Sequence, residues 1–341
     1  MKKTFTFILA LALITLLAGC SSQTPADTPA ETSPASTPKE NNSHKPRVAM
    51  IFEMAMADGG WAAACYDAMA KAAEELGFET AYTENVALSD FVSAFRDYAN
   101  MGYDLVIAPG NQYQDAVLEV APDFPDVNFL IMDATVDTLY DNVASAVFDY
   151  KELGFLEGVI AAAQTKTGSI GLVNAVEGYS NLLVTEYAEI GAKYVNPDIN
   201  FTVGYVGNFT DIAKGKEIAS SMITTQNVDV IINYAGAPDV GAREACRELG
   251  AWAIPHPEDI LDTDPDVIMT CVIDSTPYLI KSGMQEVLDG TFGGGKQVLG
   301  TIGNGAISIG RFGEMVDAET RDYITDVLEK IKSGEIVPSE M

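Results

Sequence analysis

The stretch GTFGGGKQ, residues 290–297, carries the glycines and lysine of the phosphate-binding pattern G-x-x-x-x-G-K-[ST], except that Gln297 stands where a hydroxyl belongs. A loop that cradles phosphates must follow a strand and open a helix, with its Ser or Thr on Mg²⁺. Here the glycines follow the helical pattern STPYLIKSGMQEVLDG and run into the strand-like QVLGTI, so the order is reversed. Gly293 to Gly295 read instead as a turn that supplies positive-φ positions. Other reactive chemistry is equally thin. The chain has two histidines and four cysteines, and His256 has no Cys or second His near it. Cys65, Cys246 and Cys271 form no C-x-x-C pair and sit among apolar residues, so they read as small buried hydrophobes. No metal site, no cofactor and no Ser-His-Asp order are expected, and the expectation is a protein without catalysis.

Side chains suited to holding a ligand lie at element junctions. Trp61 directly follows Asp58-Gly59-Gly60, and Asn111, Gln112 and Tyr113 follow VIAPG. Gly236 and Asp239 lie in NYAGAPDVGAREA, where a helix amino end would offer N–H groups to a ligand hydroxyl. Plainer roles stay open: Trp61 could pack the start of a helix, and Asp58 and Asp239 could be caps.

The elements that must position these residues alternate. RVAMIF (47–52), FETAY (78–82), DLVIAP (104–109) and NFLIMDA (128–134) are short, apolar, β-rich runs, and WAAACYDAMAKAAEELG (61–77) between them has helical periodicity. The alternation restarts with strand-like segments at 168–175, 200–209, 228–236, 252–255 and 266–274. Strands alternating with helices predict parallel sheets covered on both faces. Two such α/β units edge to edge, with ligand-facing loops at the carboxyl ends of their strands, would form a cleft.

At the amino end, MKKTFTFILALALITLLAGC has the charged start, short apolar run and small-residue processing site of an export signal. Residues 21–46 are Ser, Thr, Pro, Ala and charged residues with almost nothing to bury, and read as a disordered tether. The formal charge of −29 argues against a nucleic-acid partner, since phosphate backbones select Lys and Arg clusters.

Several longer strings carry a resemblance. DGGW (58–61), FPDVNFLIMDA (124–134), YKELGFLEGVIAAAQTKTGSIGLV (150–173), GAKYVNPDINFTVGYVGNFTDIAKGKEIA (191–219) and AWAIP (251–255) resemble the basic membrane protein family of lipoproteins. These are substrate-binding proteins of ABC importers related to the bacterial purine nucleoside receptor. The resemblance implies an α/β, two-lobed type I periplasmic-binding-protein fold, each lobe a parallel sheet flanked by helices, with the ligand cleft between the lobes. It implies a first lobe of residues 47–148 plus about 274–300, a second of 149–273 plus about 301–341, and lobe crossings near 147–150, 270–275 and 298–305. Leu17-Ala18-Gly19-Cys20, which ends the signal segment 1–20, resembles a lipobox, which implies removal of the signal before the cysteine and a lipid on Cys20 at the outer face of the cytoplasmic membrane.

The same resemblance implies a flat base sandwiched by Trp61 and Phe209, with Tyr234 as the other choice for the second ring. It makes Asp58 and Asp133 polar selectors of the ligand, Asp133 having turn capping as its plain alternative. The chain departs from the family at Ala62, where an asparagine is common, and at Pro255-His256-Pro257-Glu258-Asp259, where the family has G-V-D-x-D. It departs again at Asp274, where the family has lysine. These changes weaken the case for ribose contacts, and Asp58, Asp133 and Asp274 together would favour a donor-rich or cationic ligand. The expected function is capture of a nucleoside, nucleobase or similar planar heterocycle by a monomer that feeds an ABC permease. The alternatives are a lipoprotein that presents its ligand to a sensor, or a binder of a different molecule such as a flavin-like one.

Overall fold

The computed structural model describes residues 45–341 apart from Gly59, Gly60, residues 135–139 and Gly294, and without the side chain of Asp58. The signal segment with Cys20, and the tether up to residue 44, lie outside the described residues.

Apolar runs four to six residues long become parallel strands. The first lobe is built from β1 (Arg47–Ile51), α1 (Trp61–Leu76), β2 (Glu79–Thr83), α2 (Phe91–Asn100), β3 (Leu105–Ala108), α3 (Gln114–Val120), β4 (Asn128–Met132) and β5 (Val143–Phe148). The second follows with α4 (Tyr150–Gln164), β6 (Ser169–Asn174), α5 (Tyr179–Val195), β7 (Asn200–Tyr205), α6 (Ile212–Gln226), β8 (Val230–Tyr234), α7 (Pro238–Leu249) and β9 (Trp252–Ile254). The chain ends with β10 (Val272–Asp274), α8 (Thr276–Asp289), β11 (Gln297–Gly300), β12 (Ile307–Ile309) and α9 (Ala318–Lys332).

The first sheet has the order β11-β5-β4-β3-β1-β2 and the second β7-β6-β8-β9, every pairing parallel, while β10 and β12 form a short antiparallel pair. The chain runs outward from β1 to β2 and then returns past it to β3, and it does the same at β6 with β7 and β8. Those reversals are the switch points at which open α/β sheets leave a crevice beyond their carboxyl ends. The chain passes between the sheets beside Asp149, whose N–H donates to Gly300 O at 2.8 Å, and Ser275, whose N–H donates to Ala306 O at 2.8 Å.

The run DVIMTCVID (266–274) was expected to be one long strand. Only Val272–Asp274 pairs as one; Ile268 makes a single bridge to Ala253, and the backbone between turns after Asp264. The glycine-lysine stretch lies between α8 and β11 as expected, and Gly293 (φ +86°) and Gly295 (φ +71°) take left-handed conformations. A Cβ on Gly293 would meet Asp141 O at 1.9 Å, so no larger residue fits that turn.

Helix α4 is apolar nearly all round, and it is buried between the second sheet, α5 and α9. Its glycines set how closely α5 approaches. A Cβ at Gly158 would lie 1.9 Å from Ala188 O, and one at Gly154 2.5 Å from Val184 O. Alanine is the better helix former by about 1 kcal/mol, yet both obstacles are backbone and cannot rotate away. Gly158→Ala is therefore expected to destabilise the protein by about 1–3 kcal/mol, the usual cost of overpacking, as a lower midpoint in urea unfolding.

Candidate ligand-binding site

Loops from the carboxyl ends of both sheets converge on a hollow of ≈ 240 Å³. The first lobe contributes Asn111 and Asp133; the second contributes Tyr150, Phe209 and the segment Val176 to Asn181 that follows β6. A larger hollow of ≈ 380 Å³ is lined by Tyr278, Lys281, Ser282, Gln285 and Glu286. All of those lie on α8 alone, so nothing converges there, and the smaller hollow is the candidate site.

Asp133 occupies the turn after β4 in the left-handed region (φ 54°), where Asp and Asn are the side chains best tolerated. Its N–H donates to Ala146 O at 2.8 Å, and its Oδ1 accepts from the Tyr150 hydroxyl. Asp149 caps α4 by accepting from the Lys151 and Glu152 N–H groups, which fixes Tyr150 in the first turn. The Asp133 carboxylate opens into the hollow, and the residue is exposed. Lost hydration raises its pKa, the Tyr150 bond opposes the rise, and the charge on Asp274 adds to it.

The loop after β6 is held by Asn174, fully buried, whose Oδ1 accepts from Ala175 N and Asn181 Nδ2 and whose Nδ2 donates to Asn181 O. Phe209 is held out of the protein, 56% exposed, by an Asx turn in which Asn208 Oδ1 accepts from Thr210 N and Asp211 N. Phe209 O in turn accepts from Ala237 N at 3.2 Å, which ties this loop to the one after β8. Gly236 in that loop has φ +78° and faces Phe209 O.

The other predicted residues are placed differently. Trp61 opens α1 with its Nε1 donating to Pro109 O at 2.7 Å; the ring is exposed beside the β3 exit, outside the hollow's lining. Tyr113 was expected in the cleft and belongs to the core. It is 1% exposed, packed on Phe91 and Phe95, and its hydroxyl accepts from Glu53 N. The 3-10 turn Asn111–Tyr113 sends neighbouring side chains to opposite sides, so Asn111 keeps the hollow and Tyr113 does not. Asp239 is 4% exposed and lies in the first turn of α7, whose N-cap is Ala237; it accepts from Ala235 N and Gly236 N of the preceding loop, and burial pushes its carboxyl up to about 7. The backbone of Asp58 closes a 3-10 turn at Met56–Asp58, and its side chain lies outside the described residues.

Asp274 ends β10, outside the lining, with its Oδ2 2.8 Å from His256 Nε2. Burial alone would lower the His256 pKa, but Asp274, Glu157 and Asp239 outweigh it and the net shift is upward, toward the cation. The Tyr234 ring lies against His256 at 4.7 Å between centroids. Glu157, missed by sequence reasoning, is fully buried on α4 with neither oxygen hydrogen-bonded, and burial pushes its carboxyl up to about 8. Cys65 and Cys246 are buried with thiols pushed up to about 12, which leaves them unreactive. Among the described residues no group of three or more His, Cys, Asp and Glu side chains could hold a metal ion.

Tyr150 and the Val176–Asn181 segment were also missed. The signal for the segment was present: AVEGYSN leaves the carboxyl end of a strand at a switch point, as Asn111 does.

Comparison with known proteins agrees with this architecture. Residues 45–340 match the family described as ABC transporter substrate-binding protein PnrA-like. The chain is 29% identical over 280 residues to the ABC transporter nucleoside-binding protein BmpA of Lactococcus lactis, covering 76% of this chain and 78% of that one. It is 29% identical over 298 residues to a purine-binding protein of Brucella abortus, covering 86% and 83%. A solute-binding protein of an ABC transporter system from Aeropyrum pernix superposes with a TM-score of 0.70 at 22% identity, over 86% of this chain and 92% of that one, and shares the periplasmic-binding-protein fold. With the fold and nearly the whole described chain in agreement, the protein belongs to the Bmp family of PnrA-like ABC transporter substrate-binding proteins.

Proposed function

We propose that this substrate-binding protein captures a nucleoside, nucleobase or similar planar heterocycle between its lobes and delivers it unchanged to an ABC permease. The observation that carries the reading is the pairing of an exposed flat ring, Phe209, with polar selectors, Asp133 and Asn111, around one hollow fed by both lobes. A π-face stacks on any planar heterocycle, and a carboxylate that loses water to a bound ligand selects ring N–H or hydroxyl donors. The nucleoside-binding and purine-binding names of two relatives support the same class.

In this reading residues 1–20 are a signal, Cys20 carries a lipid, residues 21–46 tether a monomeric receptor to the outer face of the membrane, and Trp61 swings onto the ligand. The lobes, 47–148 plus about 274–300 and 149–273 plus about 301–341, close about the crossings once a ligand bridges them. Calorimetry with purine and pyrimidine nucleosides and bases tests it. Binding is expected for the intact protein, and Phe209→Ala is expected to weaken it by about 1–3 kcal/mol, the usual cost of a lost base stack. A wild-type protein that binds none of these compounds sinks the proposal.

A further inference from the structure

The polar groups around and behind the hollow are unbalanced. Asp133 has one hydrogen-bond donor on its side chain, the Tyr150 hydroxyl, although a carboxylate can accept about four such bonds. Among the described residues no cationic side chain acts on it, and the further charge that does is another carboxylate, Asp274. Tyr150 and Glu157 lie two helical turns apart on one face of α4, and both act on Tyr234 of β8. Glu157 is fully buried and both its oxygens lack a partner. Asn233, also fully buried on β8, has neither its amide nitrogen nor its oxygen bonded. Among the described residues His256 is the one cation acting on Glu157, and its Nε2 lies 2.8 Å from Asp274 Oδ2. One imidazole therefore faces Glu157, Asp274 and Asp239, the last of which also has its own backbone donors and Arg243.

A buried carboxylate left without a donor is costly, and the same groups placed beside a bound cation become favourable. We propose that the hollow is built for a ligand that carries a positive charge, which docks on Asp133 in the field of Asp274 behind it. This rests on the reading of the hollow as the ligand site and narrows its substrate class from planar heterocycles to cationic ones. The cation supplies the donors Asp133 lacks. Its charge reaches Asp274 through Tyr150 and Tyr234, where the low dielectric weakens screening.

The test is calorimetry near neutral pH with four compounds: adenosine, 1-methyladenosine, 3′-amino-3′-deoxyadenosine and thiamine. The second carries its charge on the ring and the third on the sugar, so a clash at one position does not hide the preference. At least one charged nucleoside is expected to bind about tenfold or more tightly than adenosine, and Asp274→Asn, which keeps the side-chain volume, is expected to cut that preference by at least about threefold. Adenosine binding as tightly as both charged nucleosides overturns the inference, as does a preference that survives Asp274→Asn in full. Thiamine binding alone, with no nucleoside bound, upholds the charge and refutes the nucleoside class. Binding of none of the four overturns the inference.

Discussion

Glu157→Gln is expected to make the protein more stable at pH 8, by about 2–4 kcal/mol, and to change its stability by no more than about 1 kcal/mol at pH 4.5. Burial pushes the Glu157 carboxyl up from 4.5 to about 8 in the folded protein, so the folded state holds a proton that the unfolded chain releases. For an acid shifted this way, stability falls by about 1.4 kcal/mol per pH unit between the two values and levels off above the upper one. Glutamine has the same shape and no proton to lose, so the variant escapes the slope. His256 tilts stability in the same direction: its pKa is raised on folding, so the stability it adds is present below its ordinary value and is lost as pH rises through the folded one. Glu157 is one of the carboxylates that raise it, so part of that slope goes too. Urea unfolding of both proteins at pH 4.5, 6 and 8 measures the difference. Parallel curves would show that Glu157 has a partner that keeps its ionisation ordinary. A residue that costs stability at neutral pH is expected where function sets the requirement, which is the setting the charge-unbalanced hollow provides.

How much of this could be read from the residues alone differs from element to element. Runs such as LVIA in β3 and VIINY in β8 are β-branched and apolar because both faces of a parallel sheet are covered, and they stand out at once. Strand β5 does not: VASAVF sits inside the first sheet, yet its Ala144, Ser145 and Ala146 have weak strand preference, and only tertiary packing places them there. The rule that ligands gather at carboxyl ends of strands picked out Asn111 and would have picked out Val176 to Asn181. It could not separate Asn111 from Tyr113, because the direction of a side chain in a 3-10 turn depends on what lies beneath, here Phe91 and Phe95. Glu157 was hidden by its surroundings, since one acid in GFLEGVIAAA reads as the solvated edge of a helix until folding buries it among His256, Asp239, Asp274 and Tyr234. His256 gains its role from Asp274, which folding brings within 2.8 Å from another strand. Residue types located the strand ends, and charge pairing was set by contacts that sequence order does not carry.

Asp133→Asn is expected to weaken binding of the preferred nucleoside by about 1.5–3 kcal/mol, roughly 10- to 150-fold in Kd, the usual value of a hydrogen bond to a charged group. Asparagine suits the test because, with aspartate, it is among the few residues at ease at φ 54°, so the turn after β4 keeps its shape. The mutation also lifts a like-charge burden, since Asp274 and Asp133 repel and both burial and that repulsion raise the Asp133 pKa. The melting temperature is therefore expected to hold or rise while affinity falls, a combination that general loss of structure cannot produce. Tyr150→Phe separates the two jobs of the carboxylate. The Tyr150 hydroxyl stays protonated because burial and then the Asp133 charge push its pKa far upward, so it donates to Asp133 and fixes the direction of Oδ1. Its loss should weaken binding several-fold through a looser carboxylate, and the Asp133→Asn and Tyr150→Phe losses should be less than additive because they remove one coupled unit. An unchanged Kd in Asp133→Asn would move the ligand away from β4 altogether and leave Phe209 and the loop after β6 as its contacts. Additive losses would mean instead that Tyr150 meets the ligand itself.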